Sequence, residues 1–187
     1  TNIEIIDSNS QTIDNSSQKE NNIRNKIFSQ NLSPKQLTTY LFFGNFIRII
    51  SSAVRRRIFM KAGGFDCNLF GGEDWEFWVR MSTYGKIYHL NEKLLYRREH
   101  GDNTTKRYNL ERKLGFCHAI NKARNNVPEL KHYADNMKHQ VLNDGIKSSI
   151  NENNQSLLKS FLQKKFEFLL EYRNNHFDTC VHQSTSN

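Results

Sequence analysis

The sequence predicts an α/β fold: a small mixed sheet with packed helices, followed by an all-helical C-terminal segment. Three observations predict it. Up to about residue 100, stretches with the two-residue period of a strand alternate with stretches of the 3.6-residue period of a helix. Beyond Thr105 only helical spacing remains. The chain has 187 residues, 36% of them hydrophobic and 13 of them Phe, so it is long enough to bury a sizeable core.

The elements follow in order. Ile3 to Asp7 reads as a short strand, Ser8-Asn9-Ser10 as a turn, and Gln11 to Ile13 as its return. Residues 14–36 are polar and read as a surface loop, with a pair of helical turns at 22–29. The apolar run 37–43 reads as helix, and Phe46 to Val54, rich in β-branched side chains, as a buried strand. Arg55 to Ala62 is a short helix stopped by Gly63-Gly64, where positive φ costs nothing. A loop closes on Gly71-Gly72. Helix 73–84 follows, with Trp75 and Trp78 on one face and Gly85 as its stop. Lys86 to Arg98 is extended, with Ile87, His89, Leu94 and Tyr96 expected to point inward, and 99–105 is a polar loop. We expect the sheet to be built from 3–7, 46–54 and 86–98, with helix 73–84 packed on it through Trp75 or Trp78.

The last third reads as helix from Thr105 to Asn125, a second from Pro128 to Ile150, and a third capped by Ser156. The third carries Leu157, Leu158, Phe161, Leu162, Phe166, Phe168, Leu169 and Tyr172 as its apolar face. Residues 1–107 are thus one unit, 108–173 a helical extension, and 174–187 a disordered tail.

Charge narrows the partners. Lys and Arg number 27 against 19 Asp and Glu, a net +8, which favours an anionic partner. Within 44–107 there are 12 Lys and Arg against 7 Asp and Glu, so 12 − 7 leaves +5. Cys67, Cys117 and Cys180 lie far apart, which argues against a disulfide framework and fits a reducing, cytoplasmic setting. Work at the inner face of a membrane, with peripheral association, is compatible with this. The most apolar stretch, Tyr40 to Ile50, is too short and too polar to span a bilayer. The chain opens at Thr1 with neither Met nor signal-peptide pattern, and we expect a fragment of a longer protein.

One stretch carries more specific information. The residues Gly44-Asn45-Phe46, Ser51-Ser52-Ala53-Val54-Arg55-Arg56, Phe59, Gly63-Gly64-Phe65-Asp66 and Gly71-Gly72-Glu73-Asp74-Trp75-Glu76-Phe77-Trp78-Val79-Arg80 occur in that order. Gly85-Lys86-Ile87, Leu94-Leu95-Tyr96-Arg97-Arg98 and His100 follow. Taken together, over residues 1–107, they resemble the acceptor-side half of family 2 glycosyltransferases, which are GT-A-fold enzymes. The resemblance implies a partial GT-A-like sheet and sugar transfer from a nucleotide-diphosphate donor to a glycan or glycoconjugate acceptor. It places the protein in polysaccharide or glycoconjugate assembly. It also implies inversion at the anomeric carbon, with Asp74 as general base, and a divalent metal, Mn or Mg, in the intact enzyme. Gly71, Gly72, Glu73, Trp75, Trp78, Arg97 and Arg98 become substrate-binding candidates, and His100 a metal-ligand candidate. The family's Asp-x-Asp metal motif occurs nowhere in the chain. The donor-binding half is therefore expected to be missing, most metal ligands with it, and the fragment to be inactive alone.

The residue chemistry supports part of this. A carboxylate in the first turn of a helix is favoured as the anion and so is ready to take a proton. Glu73 and Asp74 are equally good as plain first-turn acids. Glu73, about 100° around the helix, could bind acceptor or hold the loop. One of Trp75 and Trp78 is expected in the core and the other as a floor for a sugar ring. Arg97 and Arg98 suit phosphate through their two-pronged donors.

Two other classes remain open on sequence alone. One is a basic helical binding module, since Lys159, Lys164, Lys165 and Arg173 border the last apolar face. The other is a catalytically dead half-domain docked on a partner or an anionic polymer. No nucleic-acid motif is present, and no nucleic-acid partner is expected.

Overall fold

The computed structural model describes residues 1–12, 16–100 and 108–183, with side chains described for 1–12, 18–100 and 108–171. Two strands, β1 (Asn2–Ile6) and β2 (Lys93–Arg98), form a parallel pair. Seven helices are described: α1 (Ser16–Phe28), α2 (Pro34–Phe43), α3 (Arg56–Ala62), α4 (Glu73–Met81), α5 (Asn109–Asn126), α6 (Lys131–Asn151) and α7 (Gln155–Gln183). The balance of sheet and helix is thus mixed, as an α/β reading requires, but helix dominates.

The sheet is smaller than expected. β1 lies where the sequence places it, and Ile6 makes an isolated antiparallel bridge to Thr12, a trace of the expected return. Residues 46–54 are not a strand; their one regular feature is a 3₁₀ turn at Ile49–Ser51. The carbonyls a ladder would use are taken elsewhere. Phe46 O accepts from Arg24 Nε at 2.7 Å, and Ser51 O from the Thr1 amino group at 2.9 Å. The extended segment is also shorter than expected, since pairing begins only at Lys93. Its facing differs too. Leu94 and Tyr96 are exposed, while Leu95 and Arg97 are half-buried. In a period of two, a shift of one residue exchanges the faces.

The polar stretch 14–36 holds a full helix, α1, and the start of α2. Ser33 caps α2 by accepting from the Gln36 N–H at 3.3 Å, while Gln36 Oε1 accepts from the Ser33 N–H at 2.9 Å. This reciprocal capping box, with Pro34 just inside, starts the helix three residues before the apolar run. Asn21 on α1 brackets β1: its Nδ2 donates to Ile3 O at 2.9 Å and its Oδ1 accepts from the Ile3 N–H at 3.3 Å. That amide occupies part of the edge that a further strand would use.

α4 is the centre of the molecule. Every residue from Trp75 to Met81 is buried, so the helix is enclosed on all sides. Its main neighbours are α2, α3 and α5, and not the sheet as expected. The core joins Leu41 and Phe42 of α2, Trp75, Phe77 and Val79 of α4, and Ala119, Ile120 and Ala123 of α5. A second cluster, Cys117, Leu142, Phe161 and Phe168, joins α5, α6 and α7. The cap of α7 is Asn154 rather than Ser156: its Oδ1 accepts from the Leu157 N–H at 3.1 Å. α7 continues past 174, where the tail was expected, and residues 184–187 lie outside the described residues. The expected loop 99–105 and the helix start at Thr105 fall mostly outside them as well.

Candidate active site

The site is made by a loop forced against a helix. α3 ends with Gly63 at φ 84°, a left-handed cap, and the chain turns towards α5. At Gly71 and Gly72 φ is 110° and 77°. A Cβ on Gly71 would stand 2.3 Å from the Arg112 carbonyl oxygen, and one on Gly72 2.2 Å from the Phe116 ring. The two glycines therefore let the loop touch α5, where the sequence suggested close approach to a ligand. α4 begins directly after them.

The first-turn acids then separate. Glu73 turns back on the loop, accepting from the Gly71 N–H at 3.0 Å and pairing with Arg112 at 3.8 Å. Of its two expected roles, the geometry is that of holding the loop. Asp74 Oδ1 accepts from the Trp75 N–H at 2.8 Å, and Oδ2 from Asn45 Nδ2 at 3.0 Å. Two donors fix its carboxylate, and each oxygen keeps a free acceptor direction. Asp74 lines a cleft of about 390 Å³ with Gly71, Gly72 and Trp75. The opposite wall comes from Asn109, Arg112, Lys113 and Phe116 of α5 and Asp144 of α6.

The two tryptophans are both core residues. Trp75 is 3% exposed and donates its indole N–H to Phe42 O at 3.0 Å, with its ring against Phe42 and Phe116. Trp78 is 5% exposed, and its indole N–H finds no acceptor among the described residues. Each also lines a cleft, Trp75 that of Asp74 and Trp78 a larger one, but little of either side chain is exposed to meet a sugar ring. Beneath them Glu76, fully buried, takes two bonds from Arg80, at 2.8 and 2.9 Å, and one from Asn126 at 3.1 Å. Arg80 also donates to Ala62 O and to Gly64 O, so it ties α4 to the end of α3. On the same loop, the Lys122 ammonium at 2.7 Å and the Asn68 N–H hold the Asp66 carboxyl below its ordinary range.

The β2 candidates lie apart from this cleft. Arg98 donates to Asp7 O at 2.6 Å, Ser8 O at 3.0 Å and Ser10 Oγ at 3.1 Å, strapping the turn after β1. Arg97 pairs with Glu99 at 3.4 Å, and His100 is exposed just past the strand. Among the described residues, no three His, Cys, Asp or Glu side chains cluster to hold a metal. The described residues thus do not by themselves hold a metal, and the ligands expected for one in the intact enzyme are mostly not in this chain.

A second, larger cleft of about 900 Å³ adjoins the first. Its lining is mainly apolar, with Ile47, Ile58, Met81 and Leu94 among the side chains, and it also carries Arg24, Arg48, Arg55, Arg57 and Lys86 but no carboxylate among the described residues. Arg24 is nearly buried there and donates to Phe46 O and Asn21 Oδ1. Arg48 lines both clefts and is itself held by Glu20, with its Nε donating at 3.0 Å. Asn45, Arg48, Asn109, Arg112, Lys113 and Asp144 escaped the sequence reading. Asn45 stands in a quoted motif without a role. The α5 group has a readable signal, because 109, 112, 113 and 116 share one helix face.

Comparison with known families fits this geometry. The family model described as "Glycosyltransferase like family 2" matches residues 1–140. The chain belongs to that family. The match passes the limit of 107 read from the motifs and takes in α5 and half of α6, the helices that build the far wall of the Asp74 cleft. Neither the curated proteins nor the solved structures yield a match to the chain.

Proposed function

We propose that this member of the family is the acceptor side of a glycosyltransferase that uses a nucleotide-diphosphate sugar, with Asp74 as general base. The supporting observation is that a small cleft around Asp74 meets, at Arg48, a larger cleft that carries five basic side chains and no carboxylate among the described residues. An acceptor hydroxyl in the small cleft gives its proton to Asp74 as its oxygen bonds to the anomeric carbon. The bond from that carbon to the donor's diphosphate breaks, and the electron pair leaves with the diphosphate. Attack from the face opposite the leaving group inverts the anomeric centre. The Arg and Lys side chains of the large cleft favour the charge that gathers on the diphosphate. Asn45 orients the base, and Glu73 and Arg112 hold the loop that carries it.

This reading moves diphosphate recognition from Arg97 and Arg98 to the Arg24–Arg48–Arg55–Arg57 group. The test is release of nucleoside diphosphate from a panel of nucleotide sugars by a polypeptide carrying these residues with a donor-binding half. Release is expected to depend on both one sugar nucleotide and an added glycan acceptor. Absence of release with every donor and acceptor, from a folded protein, would overturn the reading. Residues 1–187 alone are expected to give none.

A further inference from the structure

We propose that the outer face of α7 is a docking surface for an anionic lipid bilayer. The face opposite is already used: Phe161 and Phe168 are buried against Cys117 and Leu142. The outer face is not. Leu162, Phe166, Leu169 and Leu170 are 50%, 64%, 46% and 42% exposed. Their spacing of i, i+4, i+7 and i+8 gathers them on an arc of about 100°. Exposed apolar side chains collected this way on one helix mark a contact surface, whereas scattered ones do not.

Charge and area select the occupant. Lys159 is exposed on the same arc one turn earlier, while Lys165 borders it half-buried, with its Nζ donating to Asn143 Oδ1 at 2.5 Å. The nearest acids lie off the arc and are engaged: Glu167, exposed about 60° beyond Leu170, accepts from Gln163 at 3.1 Å, and Glu171 on the far side lies 3.8 Å from Lys138. The chain carries a net +8. A second copy would bring like charge against like charge. Four half-exposed side chains also offer only on the order of 400 Å², about half of what each partner of a stable protein complex buries. An anionic membrane needs no such area and complements the charge. Basic amphipathic helices lie in its interface with apolar side chains about 5–10 Å deep. No helix among the described residues is long and apolar enough to cross a membrane.

The experiment is co-sedimentation of the protein with vesicles of phosphatidylcholine alone, and of phosphatidylcholine and phosphatidylglycerol in equal parts. Binding is expected to the mixed vesicles and to weaken with added salt. Phe166→Glu is expected to lower it at least about tenfold and Lys159→Ala about fivefold. The helix signal in circular dichroism should stay unchanged, because both side chains are exposed. Leu169→Trp gives a second reading: its emission should shift to the blue with the mixed vesicles and not with the neutral ones. Equal binding of wild type and Phe166→Glu, or no binding to the mixed vesicles at low salt, would overturn the proposal. So would a concentration-dependent dimer, abolished by Phe166→Glu, in a protein that ignores vesicles. None of these outcomes depends on the transferase reading, which has its own assay.

Discussion

Single residues show how closely charge is managed around the loop. Glu76 and Arg80 form a buried pair in which Glu76 accepts three hydrogen bonds and Arg80 donates four. Removing one partner leaves the other charged and dry. Glu76→Ala should therefore destabilise the fold by about 3–5 kcal/mol, read from urea unfolding. Asp66 gives a pH signature. Its folded-state pKa is lowered, first by the bond from Lys122, so its stabilising effect is present above about pH 4. That effect is lost as the pH falls through the lowered folded value. The stability difference between wild type and Asp66→Asn should be largest near neutrality and vanish in strong acid. A difference that stays constant with pH would mean the bond to Lys122 contributes nothing through charge. Cys117 lies deep in the second core cluster, and burial pushes its thiol up to about 11.

At the scale of elements, the loop 70–72 and α5 form one unit. A Cβ on Gly115 would stand 1.8 Å from the Phe70 carbonyl oxygen, so helix and loop are in backbone contact there. Gly115→Ala must push the loop away, which should cost about 1–3 kcal/mol and lower turnover as well, since Asp74 rides on the same loop. Melting temperature and turnover measured together check this. α3 and α4 were legible in the sequence because their signals are local: Gly63 stops one, and Gly72 precedes the other. The strand expected at 46–54 was not, because its β-branched run says nothing of Arg24 and Thr1, which take its carbonyls. α1 and the start of α2 were hidden by polarity, although the capping box at Ser33 and Gln36 was there to be read. Asp74 could be found from its motif. Its bonded partner Asn45 and the cleft residues Arg112 and Asp144 come from 29, 38 and 70 residues away, and no local pattern joins them to it.

At the scale of the whole molecule, two clefts share Arg48. The smaller holds a fixed carboxylate, while the larger is mainly apolar and carries basic side chains but no carboxylate among the described residues. The helices beyond the motif region supply half of the first, so the C-terminal part shapes what the acceptor can be. Helical spacing there was plain in the sequence, but the face that meets Asp74 appears only when α5 and α6 pack on α4. The most direct measurement is sugar-transfer turnover of Asp74→Asn and Glu73→Gln beside wild type, in the polypeptide that carries these residues with a donor-binding half. The substitution at Asp74 keeps the shape and removes the proton acceptor. With Asp74 as the base, Asp74→Asn should lose on the order of 10²–10⁴ in turnover and Glu73→Gln less, with nearly unchanged melting temperatures. Near-normal turnover by Asp74→Asn would contradict that role.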